Sequence, residues 1–174
     1  LPGRARTGPA GALVGPEDPA VEFEGLDEAA LEGIAARVAG VLHPGDVVVL
    51  SGEVGAGKTT FVRAAARTLG VEGRVTSPTY QLARGYEGVA RGRRVRINHL
   101  DLYRVEGIED HDALELDDYL DPGAVTFVEW AEPALGVVRH PTFVRISHQT
   151  PATRRVSLEG PVAERLLAQR SSPC

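Results

Sequence analysis

The sequence predicts an α/β fold, a mixed sheet flanked by helices in a single domain, and three observations lead there. The run VVVLS at 47–51 is short, continuous and apolar, the pattern of a strand buried on both faces of a parallel sheet. From Lys58 to Leu69 the period becomes helical, with Phe61, Ala65 and Leu69 at intervals of four. Between them lies GEVGAGKT, Gly52 to Thr59, which matches G-x-x-x-x-G-K-[ST] in the strand-to-helix setting that this motif requires. Strand, glycine loop and helix in that order make the predicted fold P-loop NTPase-like.

The remaining elements follow along the chain. Residues 1–20, LPGRARTGPAGALVGPEDPA, have no uninterrupted apolar stretch of signal-peptide type and read as a disordered Pro/Gly-rich leader. The chain begins at Leu1 and holds no methionine, so its start is expected to be trimmed or truncated. The domain proper is expected over 21–170, with 171–174 as a tail. Asp27 is placed to cap a helix whose Leu31, Ile34, Val38 and Val41/Leu42 share one stripe, ending before Pro44. PGD at 44–46 is a turn into the first apolar strand, and Gly70 stands where the second helix must stop. In VTSPTYQLARGYEG, 75–88, Ser77, Pro78 and Thr79 form a polar, stiffened turn leading into a strand at Tyr80–Leu82. RVRINHLDLYR, 94–104, alternates as a strand does, and AVTFVEWAE, 124–132, is a second apolar strand. Between them EGIEDHDALELDDYLD, 106–121, has eight acids and no Lys or Arg, which fits a solvated amphipathic helix burying Leu116 and Leu120 or, alternatively, a docking face for a basic partner. RGRRVR, 91–96, gathers four arginines near an expected hairpin tip. TFVRIS and RRVSL form a further hairpin, followed by a short helix opened by Pro161.

Composition bounds the function. With 174 residues, 43% of them hydrophobic and 25% charged, one core of good size can form. A net charge of −5 argues against wrapping nucleic acid by bulk electrostatics, so any link to RNA is expected to be indirect. The only cysteine is Cys174, which excludes a disulfide framework and a Cys-based metal site and fits a reducing cytoplasm. The longest wholly aliphatic run is VVVL, far short of the ~18 apolar residues of a membrane span.

Lysine usage points to the chemistry. Lys58 is the only lysine beside 18 arginines, and it stands inside the glycine motif. Glycines there let the backbone N–H groups of Gly55, Ala56 and Gly57 turn inward at a helix N-terminus, an anion nest suited to a triphosphate. A lysine supplies a compact cation on a flexible stem that can follow the β- and γ-phosphates, where a planar guanidinium needs more room. Thr59 offers a hydroxyl to Mg²⁺, and Thr60 lies beside an α-phosphate. A magnesium site needs a carboxylate from the end of a neighbouring strand, and two are available, Glu129 and Asp101. Either one can bind the metal while the other positions water. His99 reads as a structural histidine; Trp130, the only tryptophan, reads as a stacking or partner-facing residue or as a partly buried core residue. Thr79 is placed to sense a γ-phosphate in the manner of nucleotide switch segments.

The set GEVGAGKTTFVR, SPTY, HLDLYR and EW, in this order, resembles the bacterial TsaE family, the small ATPase of tRNA threonylcarbamoyladenosine synthesis, over about residues 25 to 132. The resemblance implies weak, partner-dependent hydrolysis of ATP with Mg²⁺ in the cytoplasm, and association with TsaB- and TsaD-type proteins. It also implies that Lys58, Thr59 and Thr60 hold phosphates and Mg²⁺, that Glu129 is the metal carboxylate, and that Asp101 and Trp130 support turnover. Two rival readings stand beside it, a small-molecule kinase and a non-hydrolysing nucleotide-dependent scaffold.

Overall fold

The computed structural model describes residues 20–78, 82–103, 116–132 and 135–171. They form a seven-stranded sheet in the order β1-β7-β6-β2-β5-β4-β3, where β1 is Val21–Leu26, β2 Val47–Ser51, β3 Ala83–Ala90, β4 Arg93–Asp101, β5 Ala124–Glu129, β6 Thr142–His148 and β7 Arg154–Glu159. The four central strands, β6, β2, β5 and β4, are mutually parallel, and antiparallel partners lie outside them on both sides. Parallel strands need crossovers, and those put cover on both faces, which is why β2 and β5 read as unbroken apolar runs.

Helices α1 (Glu28–Gly40), α2 (Lys58–Thr68) and α4 (Pro161–Ser171) share one face of the sheet, closing a core around Val48, Leu50, Phe61, Phe127 and Leu158. The short α3 (Leu116–Tyr119) and the chain around Leu135 cover the other face, over Val47, Val49, Leu100 and Val128. Among the described residues no helix is long and apolar enough to cross a membrane.

Local chemistry explains the helix ends. The Asp27 side chain accepts from Ala30 N at 2.8 Å and so caps α1. At the end of α2, Gly70 takes a φ of +77°; its N–H donates to Arg67 O, and that of Val71 to Ala66 O, a pairing that satisfies the last carbonyls.

Strand β1 is an element that the sequence patterns above do not predict; it pairs antiparallel with β7 through Val21↔Leu158 and Phe23↔Val156. Of the strand expected at Tyr80–Leu82, Leu82 lies in a bend and β3 begins at Ala83, while Tyr80 and Gln81 fall outside the described residues. Of the expected helix in 106–121 only α3 is described, with Leu116 buried as expected and Leu120 packed against the same cluster. Both hairpins form, β3–β4 turning at Arg91 and Gly92 and β6–β7 leading into α4 at Pro161.

One ionic joint fastens the start of β2 to α4. Arg165 reaches both oxygens of Asp46, at 2.6 and 2.8 Å, and also donates to Val41 O at 2.8 Å, while Asp46 Oδ2 accepts from His43 N at 2.7 Å. The Asp46 bond is the first cause of a raised Arg165 pKa, so the guanidinium stays charged. Asp46→Ala leaves the Arg165 pairing and the His43 N–H unmet in a partly buried place, and is expected to cost about 2 kcal/mol of unfolding free energy in urea titration. A change within error of zero would show that the joint is merely superficial.

Candidate functional site

The carboxyl ends of β2, β4 and β5 converge under the N-terminus of α2. Residue Gly52 follows β2 with φ +152°, and a Cβ there would collide with the carbonyl oxygen of Ile146; Gly57, the N-cap of α2, has φ +114°, and a Cβ would come within 2.7 Å of Leu31 Cδ2. These two positions force the tight curl of the loop.

The N-termini of α1 and α2 are treated differently. Helix α1 begins with the Asp27 cap and Glu28 in its first turn, whereas α2 has no side-chain cap and no acid in its first turn. The positive end of α2 is therefore unneutralised by its own segment, a setting that favours an anion.

Lys58 is the first residue of α2 and only 6% exposed. Its Nζ donates to Gly52 O at 2.6 Å and Glu53 O at 2.9 Å and sits 4.8 Å from the centroid of the Trp130 ring. Thr59 Oγ1 donates to Glu129 Oε1 at 3.3 Å, and the same oxygen lies 2.9 Å from His99 Nε2. Asp101, level with Glu129 in the parallel register of β4 and β5, accepts from Ser77 Oγ at 3.2 Å and from Tyr103 N at 3.1 Å. Trp130 has φ +55°, a left-handed conformation costly for a bulky residue, and its ring meets Tyr103 at 4.8 Å between centroids.

Of the residues singled out in the sequence, Gly55, Gly57, Lys58, Thr59, Thr60, Asp101, Glu129 and Trp130 line one cavity of about 380 Å³, together with Ser77 and Tyr103. Ala56 does not line it. It is fully buried under the loop, where its carbonyl accepts from Arg154 Nε at 3.0 Å. Thr79 falls outside the described residues. Arg154 escaped the sequence reading because it comes from β7, 98 positions away, with no motif around it. A separate cavity of about 140 Å³ lies against Lys58 and Trp130, walled by Val49, Leu135 and Phe143; Thr59, Asp101 and Glu129 take no part in it.

Chemically, the larger cavity joins backbone donors, one ammonium and a hydroxyl to two carboxylates, which suits an anion accompanied by a hard cation. Among the described residues no group of three or more His, Cys, Asp or Glu could hold a metal ion.

Burial holds the Lys58 pKa below its ordinary 10.5, against the opposing pull of Glu129, Asp101 and Glu53. Between the lowered value and 10.5 the unfolded chain binds more protons at this residue than the folded one, so the Lys58 contribution to stability rises with pH through that window. The unfolding free energy of wild type minus that of Lys58→Met should therefore rise with pH in that alkaline range. Urea titrations at stepped pH check it, and a flat or falling difference would contradict the sign.

Residues 26–156 match the family described as "Threonylcarbamoyl adenosine biosynthesis protein TsaE". The tRNA threonylcarbamoyladenosine biosynthesis protein TsaE of Streptomyces coelicolor is 43% identical over 97 residues, which are 55% of this chain and 64% of that protein. The protein of the same name from Bacillus subtilis is 40% identical over 101 residues, 58% of this chain and 60% of the relative. These matches thus span under two thirds of the relatives' own length. Among solved structures, Bacillus subtilis YdiB superposes with a TM-score of 0.71 at 25% identity, covering 89% of this chain and 96% of the other. On the extent of the family match alone, three quarters of its length, the chain belongs to the TsaE family.

Proposed function

We propose that this protein binds ATP with Mg²⁺ in the glycine-loop cavity and hydrolyses it slowly, as the accessory ATPase of a cytoplasmic assembly that makes threonylcarbamoyladenosine in tRNA. The observation that carries the nucleotide reading is the pairing of an uncapped α2 N-terminus with Lys58 and the Thr59–Glu129 contact in one cavity. Family membership carries the link to tRNA modification. TsaB- and TsaD-type proteins are the proposed partners, and tRNA is reached through them.

The residues fit the ligand by their own chemistry. Gly55 and Gly57, with the first N–H groups of α2 at Lys58, Thr59 and Thr60, cradle phosphate oxygens, while Ala56, whose N–H is donated to Glu53 O, holds the loop from beneath. Lys58 exchanges two neutral carbonyl acceptors, Gly52 O and Glu53 O, for charged phosphate oxygens. The ammonium donates in both states, but a phosphate oxygen adds the attraction of an opposite charge that a carbonyl lacks, so the exchange is favourable although the lysine is already paired. By donating its proton to Glu129, Thr59 keeps its oxygen lone pairs for Mg²⁺, and Glu129 supplies the carboxylate. When bound, Mg²⁺ neutralises charge on the β- and γ-phosphates. Asp101, braced by Ser77 and the Tyr103 N–H, has lone pairs left to orient a water. Thr79, two residues beyond Ser77, is the proposed γ-phosphate sensor. Trp130 closes the cavity over the lysine.

Two experiments divide the labour and test the role. Glu129→Ala should weaken Mg²⁺-dependent ATP binding in calorimetric titration, while Asp101→Asn should chiefly lower turnover and leave binding nearly intact. Equal losses of affinity in both, with no separate effect on rate, would refute this assignment. For the cellular role, depletion should lower threonylcarbamoyladenosine in digested tRNA by mass spectrometry, with rescue by wild type and none by Lys58→Ala. In vitro that variant should lose about 1.5–3 kcal/mol or more of ATP binding while remaining folded. Normal nucleoside levels after complete depletion, with no second gene copy, would reject the role even for a competent ATPase.

A further inference from the structure

Among the described residues His99 is the one wholly buried imidazole. Its Nε2 lies 2.9 Å from Glu129 Oε1, and its Nδ1 is enclosed with no hydrogen-bond partner among the described residues. An ionised carboxylate only accepts, so the ring proton belongs on Nε2 and Nδ1 presents a bare lone pair. A buried polar atom without a partner is destabilising, a cost that an apolar side chain of similar size would avoid. What the ring contributes against that cost is one donor aimed at Glu129.

That donor has a geometric effect. A carboxylate can rotate about its last torsion and offer either oxygen. Here His99 Nε2 and Thr59 Oγ1 both converge on Oε1, while Oε2 has no protein donor among the described residues. His99 and Glu129 come from adjacent parallel strands and share the face turned to α2, since their register neighbours Phe127 and Leu50 pack in the core with that helix. Three elements thus fix one carboxylate plane.

We infer that His99 is a positioning residue: its Nε2–H holds Oε1 of Glu129 so that Oε2 is the oxygen offered to Mg²⁺ beside Thr59. This rests on the Mg²⁺–nucleotide reading proposed above. Partners of this kind, which orient a metal ligand without touching the metal, commonly govern affinity as strongly as ten- to hundredfold.

The test uses two polar replacements of different reach in the full chain. A glutamine carries its amide nitrogen about as far as Nε2, whereas an asparagine reaches only as far as Nδ1. Mg²⁺ affinity of the ATP complex should fall about ten- to hundredfold in His99→Asn and stay close to wild type in His99→Gln. ATP affinity in chelator should be equal in all three. In the wild-type protein, ¹⁵N NMR of the imidazole should show the proton on Nε2, with a signal that moves on adding Mg²⁺ and ATP but not ATP with chelator; this readout does not depend on either variant folding. Equal losses in the two variants, an unchanged Mg²⁺ affinity in folded His99→Asn, or a proton on Nδ1 in wild type would overturn the inference. A wild-type protein that binds no Mg²⁺–nucleotide takes down the parent reading and this one together, and is recognised before any variant is compared.

Discussion

The site depends on the parallel register of three strands. Leu50 of β2 stands level with Glu129 of β5, which stands level with Asp101 of β4. Side chains alternate along a strand with a period of two, so a slip by one residue in β5 would turn Glu129 to the opposite face and present Val128 to α2 instead. The apolar runs of β2 and β5 guard against this only in part, because strands buried on both faces have little polar alternation to fix them. Polar anchors contribute the rest: Asp46 O accepts from Thr126 N, and Thr126 Oγ1 and Asn98 Nδ2 both donate to Tyr119 O on the far face. A buried polar group satisfied in one register only is a penalty for every other register.

Upon that frame, electrostatics assigns each charge its type. The fixed cations of the scaffold are arginines, and their planar forks suit the carboxylates and carbonyls they hold, as Arg165 does with Asp46 and Arg154 with Ala56 O. The single ammonium stands at the loop, on two backbone carbonyls and beside an indole face. Its burial penalty is offset only in part by Glu129, Asp101 and Glu53, and none of these acids holds it in one rigid pair.

Much of this was legible in the sequence, and the parts that were not have a common cause. The glycine loop, α1, α2, both buried strands and both hairpins announce themselves through periodicity and local motifs, as does the convergence of Lys58, Thr59, Asp101 and Glu129, whereas the place of Trp130 beside them was implied only by the family resemblance. The alternation in VEFEGL was present too, but it adjoins the Pro/Gly-rich stretch and its partner β7 lies at the other end of the chain. Arg154 beneath the loop and His99 against Glu129 are contacts between distant segments, 98 and 30 positions apart, whose residue types carry no local signature. The sequence shows that a histidine precedes Asp101 by two positions; only the packing of α2 over β4 and β5 shows which atom it addresses.

The backbone at Trp130 has a consequence of another kind. A left-handed φ directly after the last residue of β5 swings the indole out of the strand's path and over the Lys58 ammonium, with Tyr103 at its side. Since the chain has one tryptophan, all of its indole emission originates at this spot, beside a positive charge 4.8 Å from the ring. The protein thus carries an intrinsic optical gauge of its loop, readable without any label and blind to events elsewhere in the fold.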